Sequence, residues 1–388
     1  MIETSSSPRS LAQRLRERIK REGPISFSDW MAAALYDPND GYYCRADLMK
    51  WGREGDYRTS PERTSLFATT FARYFAGLHK QLGSPSAWSI LEAGAGNGTF
   101  AQVVLQTLRE SFPNVFDAAT YTIDEVSQSS RGVVRERLQS FADQVQFKSV
   151  DEVKLNPGIV FANELLDAFP VYRVTLHQGQ LKEFKVALGD DESFQWLLDT
   201  PDAALATKLE KYFDDAGCKP LEGQIIEVNL QIEEWLGRVA VNLESGYVIL
   251  VDYGAESEGL FSGVNNKTGT LRGFSRQQFV DDLLAHPGEH DLTTTVNWTV
   301  VKSVAERLGF AVVEFARQDQ FLLQAGFLEQ LEIASAAMKT DAERLRLTTA
   351  AREMILPGGM AVSFQVLVLK KSNDYQNERC HSERLRNN

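Results

Sequence analysis

The chain is expected to be an α/β protein built on a parallel sheet flanked by helices, and three observations predict it. Apolar strand-like runs alternate with helical periodicity across residues 88–170. The first of these runs ends in an acid and passes into alternating glycines, Glu92-Ala-Gly-Ala-Gly-Asn-Gly98, directly before a helical pattern. Strand-like runs return late, at Tyr247–Asp252 and at Ala361–Leu369, and the last is expected to close the sheet.

Residues 1–85 form a mainly helical front section with a lid. Leu11, Leu15 and Ile19 at four-residue spacing describe an amphipathic helix. The irregular piece from Gly41-Tyr-Tyr43 through Gly55-Asp-Tyr-Arg-Thr-Ser-Pro-Glu62 leads into the helix Leu66–Leu82. It suits a lid or wall over a pocket, or equally a surface loop capped by Ser60 ahead of Pro61. Residues 86–170 carry the strands Trp88–Leu91, Thr120–Asp124, Val145–Phe147 and Gly158–Ala162, with helices at Phe100–Leu108 and Gln128–Phe141. At 171–225 the pattern changes to strands Val171–His177, Leu181–Ala187 and Phe194–Leu198 and a helix Ala203–Phe213, which reads as an inserted α+β subdomain on the substrate side. Residues 226–371 return to the core: helix Ile232–Leu243, strand Tyr247–Asp252, a loop with Asn265, Asn266 and Lys267, a helix Val300–Leu308, a long helical region Gln324–Met354 and the final strand. Residues 372–388 are polar and are expected to be a disordered tail.

The glycine turn narrows the ligand. Gly94, Gly96 and Gly98 permit a path that lets a ligand approach bare backbone, and the helix start beyond them offers unpaired N–H groups to a carboxylate or hydroxyl. A dinucleotide loop would need glycine at position 99, where Thr99 stands, and no Gly-Lys-Ser/Thr follows to make a phosphate loop. The pattern points instead to S-adenosylmethionine, with Glu92 placed to reach a positive or hydroxyl end of it; the alternative is a glycine-rich turn that only packs a helix on a sheet. The next strand, Tyr121-Thr-Ile-Asp-Glu-Val126, should end in the carboxylate that grips ribose hydroxyls. Glu125 is chosen for that role, or Asp124 if the strand ends one residue earlier.

Composition bounds the rest. A formal net charge of −12 argues against phosphate-backbone binding, so nucleic acid is not an expected partner. Cys44, Cys218 and Cys380 lie far apart, with no ligand spacing and no histidine cluster, so no metal site and a reducing, cytoplasmic location are expected. No run of ~18 apolar residues is present, and no membrane span is predicted. The arginines and serines of residues 1–23 faintly resemble a transit peptide, against which Glu3, Glu17 and Glu22 weigh.

Phe161-Ala-Asn-Glu-Leu-Leu-Asp-Ala-Phe-Pro170 carries the candidate catalytic groups, Glu164 and Asp167. A helical turn after the strand would bring both carboxylates to one side, where they would hold a guanidinium and accept its proton during attack on a methyl sulfonium. The alternative is that Asp167 caps the turn and Glu164 pairs with a local arginine. With Asn163 at the same strand end, and Thr59, Ser60 and Pro61 from the front wall, the candidate cofactor-binding set is Glu92, Gly94, Gly96, Gly98, Glu125, Asn163, Thr59, Ser60 and Pro61.

Four motifs in order, Gly55–Glu62, Glu92–Gly98, Asn163-Glu-Leu-Leu-Asp-Ala-Phe-Pro-Val171 and Asp291-Leu-Thr-Thr-Thr-Val-Asn-Trp298, resemble the MidA-like family, and the likeness runs from about Leu11 to Leu369. The resemblance implies a Rossmann-like class I S-adenosylmethionine-dependent methyltransferase core, and a protein arginine as acceptor in the family's mitochondrial branch. A small-molecule methyltransferase, or an assembly factor that binds S-adenosylmethionine without turnover, are the alternatives. The late motif departs from the family's usual Asp-Leu/Ile-Thr-Ala-His-Val-Asp-Phe, since Thr295, Asn297 and Trp298 replace its last His, Asp and Phe.

Overall fold

Strand Trp88–Ala93 (β1) lies between two parallel neighbours, Ala119–Asp124 (β2) and Gly158–Asn163 (β4), while Val145–Phe147 (β3) continues the sheet beyond β2. On the other side Gly246–Ala255 (β5) pairs in parallel with β4. Two further strands, Ala311–Arg317 (β6) and Phe364–Lys371 (β7), complete the order β6-β7-β5-β4-β1-β2-β3. The structure is a computed structural model that describes residues 10–48, 64–262, 267–275, 278–356 and 363–372. Nearly continuous burial of β1, β4 and β5 explains their unbroken apolar sequences, because helices cover such strands on both faces.

The final strand does not close the sheet at its edge. β7 runs antiparallel between β5 and β6, and β6 is the edge strand. The sequence concealed β6 because it is only half buried, exposes Val313 and changes register between Val312 and Glu314, so neither a clean apolar run nor a strict alternation marks it. The region 324–354 is likewise not one helix. Helices Gln318–Gln324, Phe327–Ala337 and Asp341–Ile355 are separated by Gly326, at φ +96°, and by a capping box of Thr340 with Glu343. Leu328, Ile333 and Leu345 are exposed, so the apolar residues of these helices do not mark one buried face and leave no spacing that reveals the breaks.

The chain divides into two compact units, each made of separate stretches. One comprises 58–166, 233–254 and 301–388, and contains the seven-stranded path just described. Its helix Ser65–Gln81 (α1), capped by the Thr64 side chain at the Leu66 N–H, presents Phe67, Phe71 and Phe75 to Phe100 and Phe161. Phe100, on helix Thr99–Ser111 (α2), stacks on Phe161 of β4 with centroids 4.3 Å apart. That contact fixes α2, and with it the glycine turn, against the strand carrying Asn163.

The other unit comprises 1–57, 167–232 and 255–300. Its antiparallel sheet runs Ile25–Ser26, Gln180–Leu188, Tyr172–His177, Ile225–Val228, and Phe194–Asp199 pairs with Gln180–Leu188. Leu11, Leu15, Ile19, Phe27, Trp30 and Leu35, from helices Leu11–Glu22 and Phe27–Tyr36, bury against Val171 and Val186. The front section is therefore shared out by packing: its first helices join the inserted strands, and its aromatic helix α1 joins the central sheet. Among the described residues no helix is long and apolar enough to cross a membrane.

Gly158 and Gly246 sit opposite each other where β4 and β5 begin. A Cβ on Gly246, at φ +137°, would come 1.8 Å from the Gly158 carbonyl oxygen, and that backbone atom has no room to yield. Gly246→Ala should therefore destabilise the protein by about 2 kcal/mol or more, read as a lowered denaturant midpoint.

Candidate functional site

Register brings the predicted strand ends level. Ala93 stands opposite both Asp124 of β2 and Ala162 of β4, so Gly94, Glu125 and Asn163 each occupy the next step beyond the same edge. The chain leaves β1 toward β2 and β3 on one side, then returns to β4 and β5 on the other, so this edge is the topological switch point of the sheet. Gly94, Gly96 and Gly98 have φ of +71°, +56° and +76°, and Gly98 is the N-cap residue just before α2. Non-glycine residues rarely adopt such backbone, so the turn explains the glycine spacing.

Glu125 binds this turn together. Its Oε2 accepts the Gly96 N–H at 3.2 Å, its Oε1 accepts the Ser127 N–H at 2.9 Å, and the Arg131 guanidinium donates to its carbonyl. Asp124 faces elsewhere, accepting the Val150 N–H at 3.0 Å, and burial raises its pKa. The strand ends at Asp124, one residue earlier than the choice of Glu125 supposed, yet Glu125, the first residue past it, is the carboxylate that bonds to the glycine turn. Glu92, only 4% exposed, accepts a hydrogen bond of 2.7 Å from the Tyr121 hydroxyl. Burial pushes its carboxyl up to about 8, with Tyr121 opposing and Glu125 adding to the rise.

At the end of β4, the Asn163 Nδ2 donates to Glu164 Oε1 at 2.9 Å, while Asn163 Oδ1 is buried with no hydrogen-bond partner among the described residues. Glu164 has φ +52°, a left-handed conformation uncommon outside glycine, asparagine and aspartate. The residues after it form bends and a turn rather than the expected helical turn, since one left-handed residue ends any helical path. Asp167 belongs to the other unit, where it accepts the Thr293 hydroxyl at 2.6 Å and its carbonyl accepts the Thr294 N–H at 3.0 Å. Thr59, Ser60 and Pro61 lie outside the described residues, as do most of the polar tail and the Gly55–Glu62 motif.

Sequence reasoning overlooked Asp252. It is 1% exposed near the end of β5, another apolar run ending in an acid, which is the signal that had singled out Glu92. In the second unit, the late motif meets the front of the chain, because the Tyr43 hydroxyl donates to Asp291 Oδ1 at 2.7 Å. Thr295 donates its N–H to Thr270 Oγ1, and Asn297 Oδ1 accepts from Ser257 Oγ at 3.0 Å and from the Val300 N–H at 3.4 Å. Asn297 thus caps the helix Trp298–Arg307, a task asparagine performs as well as aspartate.

The edge fits S-adenosylmethionine on its own donors and acceptors. Gly94 is exposed and offers bare backbone, and the buried Asn163 Oδ1 is an acceptor with no donor among the described residues. A buried polar atom without a partner is costly, so a ligand N–H or O–H there would be favourable. Gly94, Gly96, Glu125 and Asn163 are the candidate residues for holding the cofactor.

Residues 70–316, well over half of the chain, match the sequence model of a family described as S-adenosyl-L-methionine-dependent methyltransferases. The mitochondrial protein arginine methyltransferase NDUFAF7 homolog of Drosophila melanogaster is 28% identical over 331 residues, covering 77% of this chain and 71% of its own. The Homo sapiens protein arginine methyltransferase NDUFAF7 is 24% identical over 384 residues, with 92% and 83% covered. A Burkholderia thailandensis protein whose crystal structure holds S-adenosyl-homocysteine superposes with a TM-score of 0.81 at 26% identity, covering 93% of this chain and 92% of that one.

Two measurements bear on the edge. Valine at position 96 would combine a β-branched side chain with φ +56°, so Gly96→Val should abolish S-adenosylhomocysteine binding by calorimetry while the protein stays folded by circular dichroism. Glu92 gives a pH signature: the unfolded chain ionises there near pH ~4.3, whereas the folded chain holds its proton until about pH 8. Stability from this group is full below the lower value and is lost as pH rises through the higher. Glu92→Gln, which keeps the shape without the charge, should flatten the fall in Tm between pH 5 and pH 8.

Proposed function

Since this chain belongs to the family of S-adenosyl-L-methionine-dependent methyltransferases, we propose that its methyl acceptor is an arginine side chain of a protein. The observation that carries the proposal is Glu164, a carboxylate held in left-handed backbone at the switch point of the sheet. Curated relatives named as protein arginine methyltransferases over most of the chain support it.

A bound S-adenosylmethionine supplies a methyl group already activated on a sulfonium. Such a transfer asks the protein mainly for proximity and for removal of a proton. A guanidinium is always protonated in water, so none of its nitrogens is a good nucleophile until a carboxylate localises the charge. Glu164 holds the guanidinium by charge-assisted hydrogen bonds and takes the proton that the attacking nitrogen releases as its bond to carbon forms. Asn163, donating to Glu164 Oε1, keeps that carboxylate turned to the edge. Asp167 engages Thr293 in the other unit, and the proposal places the proton on Glu164 alone.

Glu164→Gln preserves size and removes the charge. Turnover should fall roughly 10²-fold with S-adenosylhomocysteine affinity nearly unchanged, measured as product release and by calorimetry. Comparison of arginine-methylated peptides between a host with and without the gene identifies the acceptor, and an unchanged set of such peptides beside a missing methylated metabolite would overturn the arginine reading.

A further inference from the structure

We propose that Asp252 is a positioning residue that holds Glu164 in its left-handed conformation, an inference that rests on the catalytic reading of Glu164. Asp252 Oδ2 accepts the Leu166 N–H at 2.9 Å, and its Oδ1 accepts the Tyr253 N–H at 2.9 Å. One nearly inaccessible carboxylate within β5 therefore ties the chain leaving β4 to that strand.

The tie is needed because the sheet stops guiding the chain there. The last ladder contact between these strands sets Asn163 opposite Val251, and the Glu164 N–H donates to the Val251 carbonyl at 2.8 Å. Beyond that bond the chain turns at Glu164 with φ +52°, and the next buried amide, Leu166, finds its acceptor in Asp252. A non-glycine residue persists in such backbone only when its surroundings over-determine it. Val251 fixes Glu164 from its own nitrogen, and Asp252 fixes it from two residues downstream. Without the carboxylate, Leu166 is free to seek another acceptor, Glu164 relaxes toward negative φ, and its side chain leaves the edge. A charged acceptor makes stronger bonds to backbone N–H groups than a neutral one, which explains an acid here rather than an amide.

The test uses the full chain and begins with amide exchange. If Asp252 served only to accept the amides of Leu166 and Tyr253, Asp252→Ala would expose those two amides and leave that of Glu164 protected. A positioning role requires the Glu164 amide to lose protection as well, by tenfold or more, and continued protection overturns the proposal. Activity gives a second arm, read as S-adenosylhomocysteine release with protein extract from a host lacking the gene as acceptor. Asp252→Ala should lower kcat roughly as much as Glu164→Gln, about 10²-fold, with the affinity for S-adenosylhomocysteine changed less than about threefold, and the double variant should be no worse than either single one. Multiplied losses in the double variant overturn the inference while leaving Glu164 its role. A Glu164→Gln protein with undiminished turnover would instead refute the reading of Glu164, and the exchange arm would still judge the clamp. Asp252→Asn, which keeps the side-chain volume, serves both arms if the alanine variant does not fold.

Discussion

Parallel register between β2, β1 and β4 is the constraint on which the site depends. Because Ala93 lies opposite Asp124 and Ala162, Gly94, Glu125 and Asn163 come to a common edge, with β4 running one residue beyond β1 and β2. A slip of one residue would exchange the faces of every side chain on a strand and break the apolar contacts that α2 makes through Phe100 and Phe161. Packing on both faces of the sheet therefore fixes a polar arrangement to which it contributes no polar atom.

At that edge the backbone departs from ordinary strand geometry at Gly94, Gly96, Gly98 and Glu164. The three glycines accept left-handed conformations freely, whereas Glu164 does so against its own preference. Carboxylates provide the compensation: Glu125 joins Gly96 to Ser127, and Asp252 joins Leu166 to Tyr253. Each acid accepts backbone N–H groups that the sheet cannot satisfy, so the same side chains that look suited to ligand binding also shape the turns that would receive the ligand. Glu92 differs from both. Its partner is the Tyr121 hydroxyl within the sheet, and burial favours its neutral form.

The antiparallel unit obeys a separate logic. Leu11, Leu15 and Ile19 bury beside Val171 and Val186, which are remote in sequence. Asp291 and Thr293, from the late motif, meet Tyr43 and Asp167 respectively. Motifs noticed one by one along the chain are thus linked in pairs within this unit, and the linkage explains their joint presence better than a separate task for each.

Much of this was legible in the residues themselves. Buried strands such as Trp88–Ala93 and Gly246–Ala255 announce themselves as apolar runs, since both faces exclude water, and the spacing of Gly94, Gly96 and Gly98 reports backbone that few other residues adopt. Those local requirements determined the α/β class and the position of the turn. Tertiary structure alone decided the rest. β6 is half buried and irregular, and so left no periodic trace, and Gly326 divides a stretch that reads as continuously helical. The left-handed backbone of Glu164 and the role of Asp252 depend on a hydrogen bond between Leu166 and a residue 86 positions away. No local pattern records a contact of that kind, because its stability comes from burial that exists only once the two strands lie side by side.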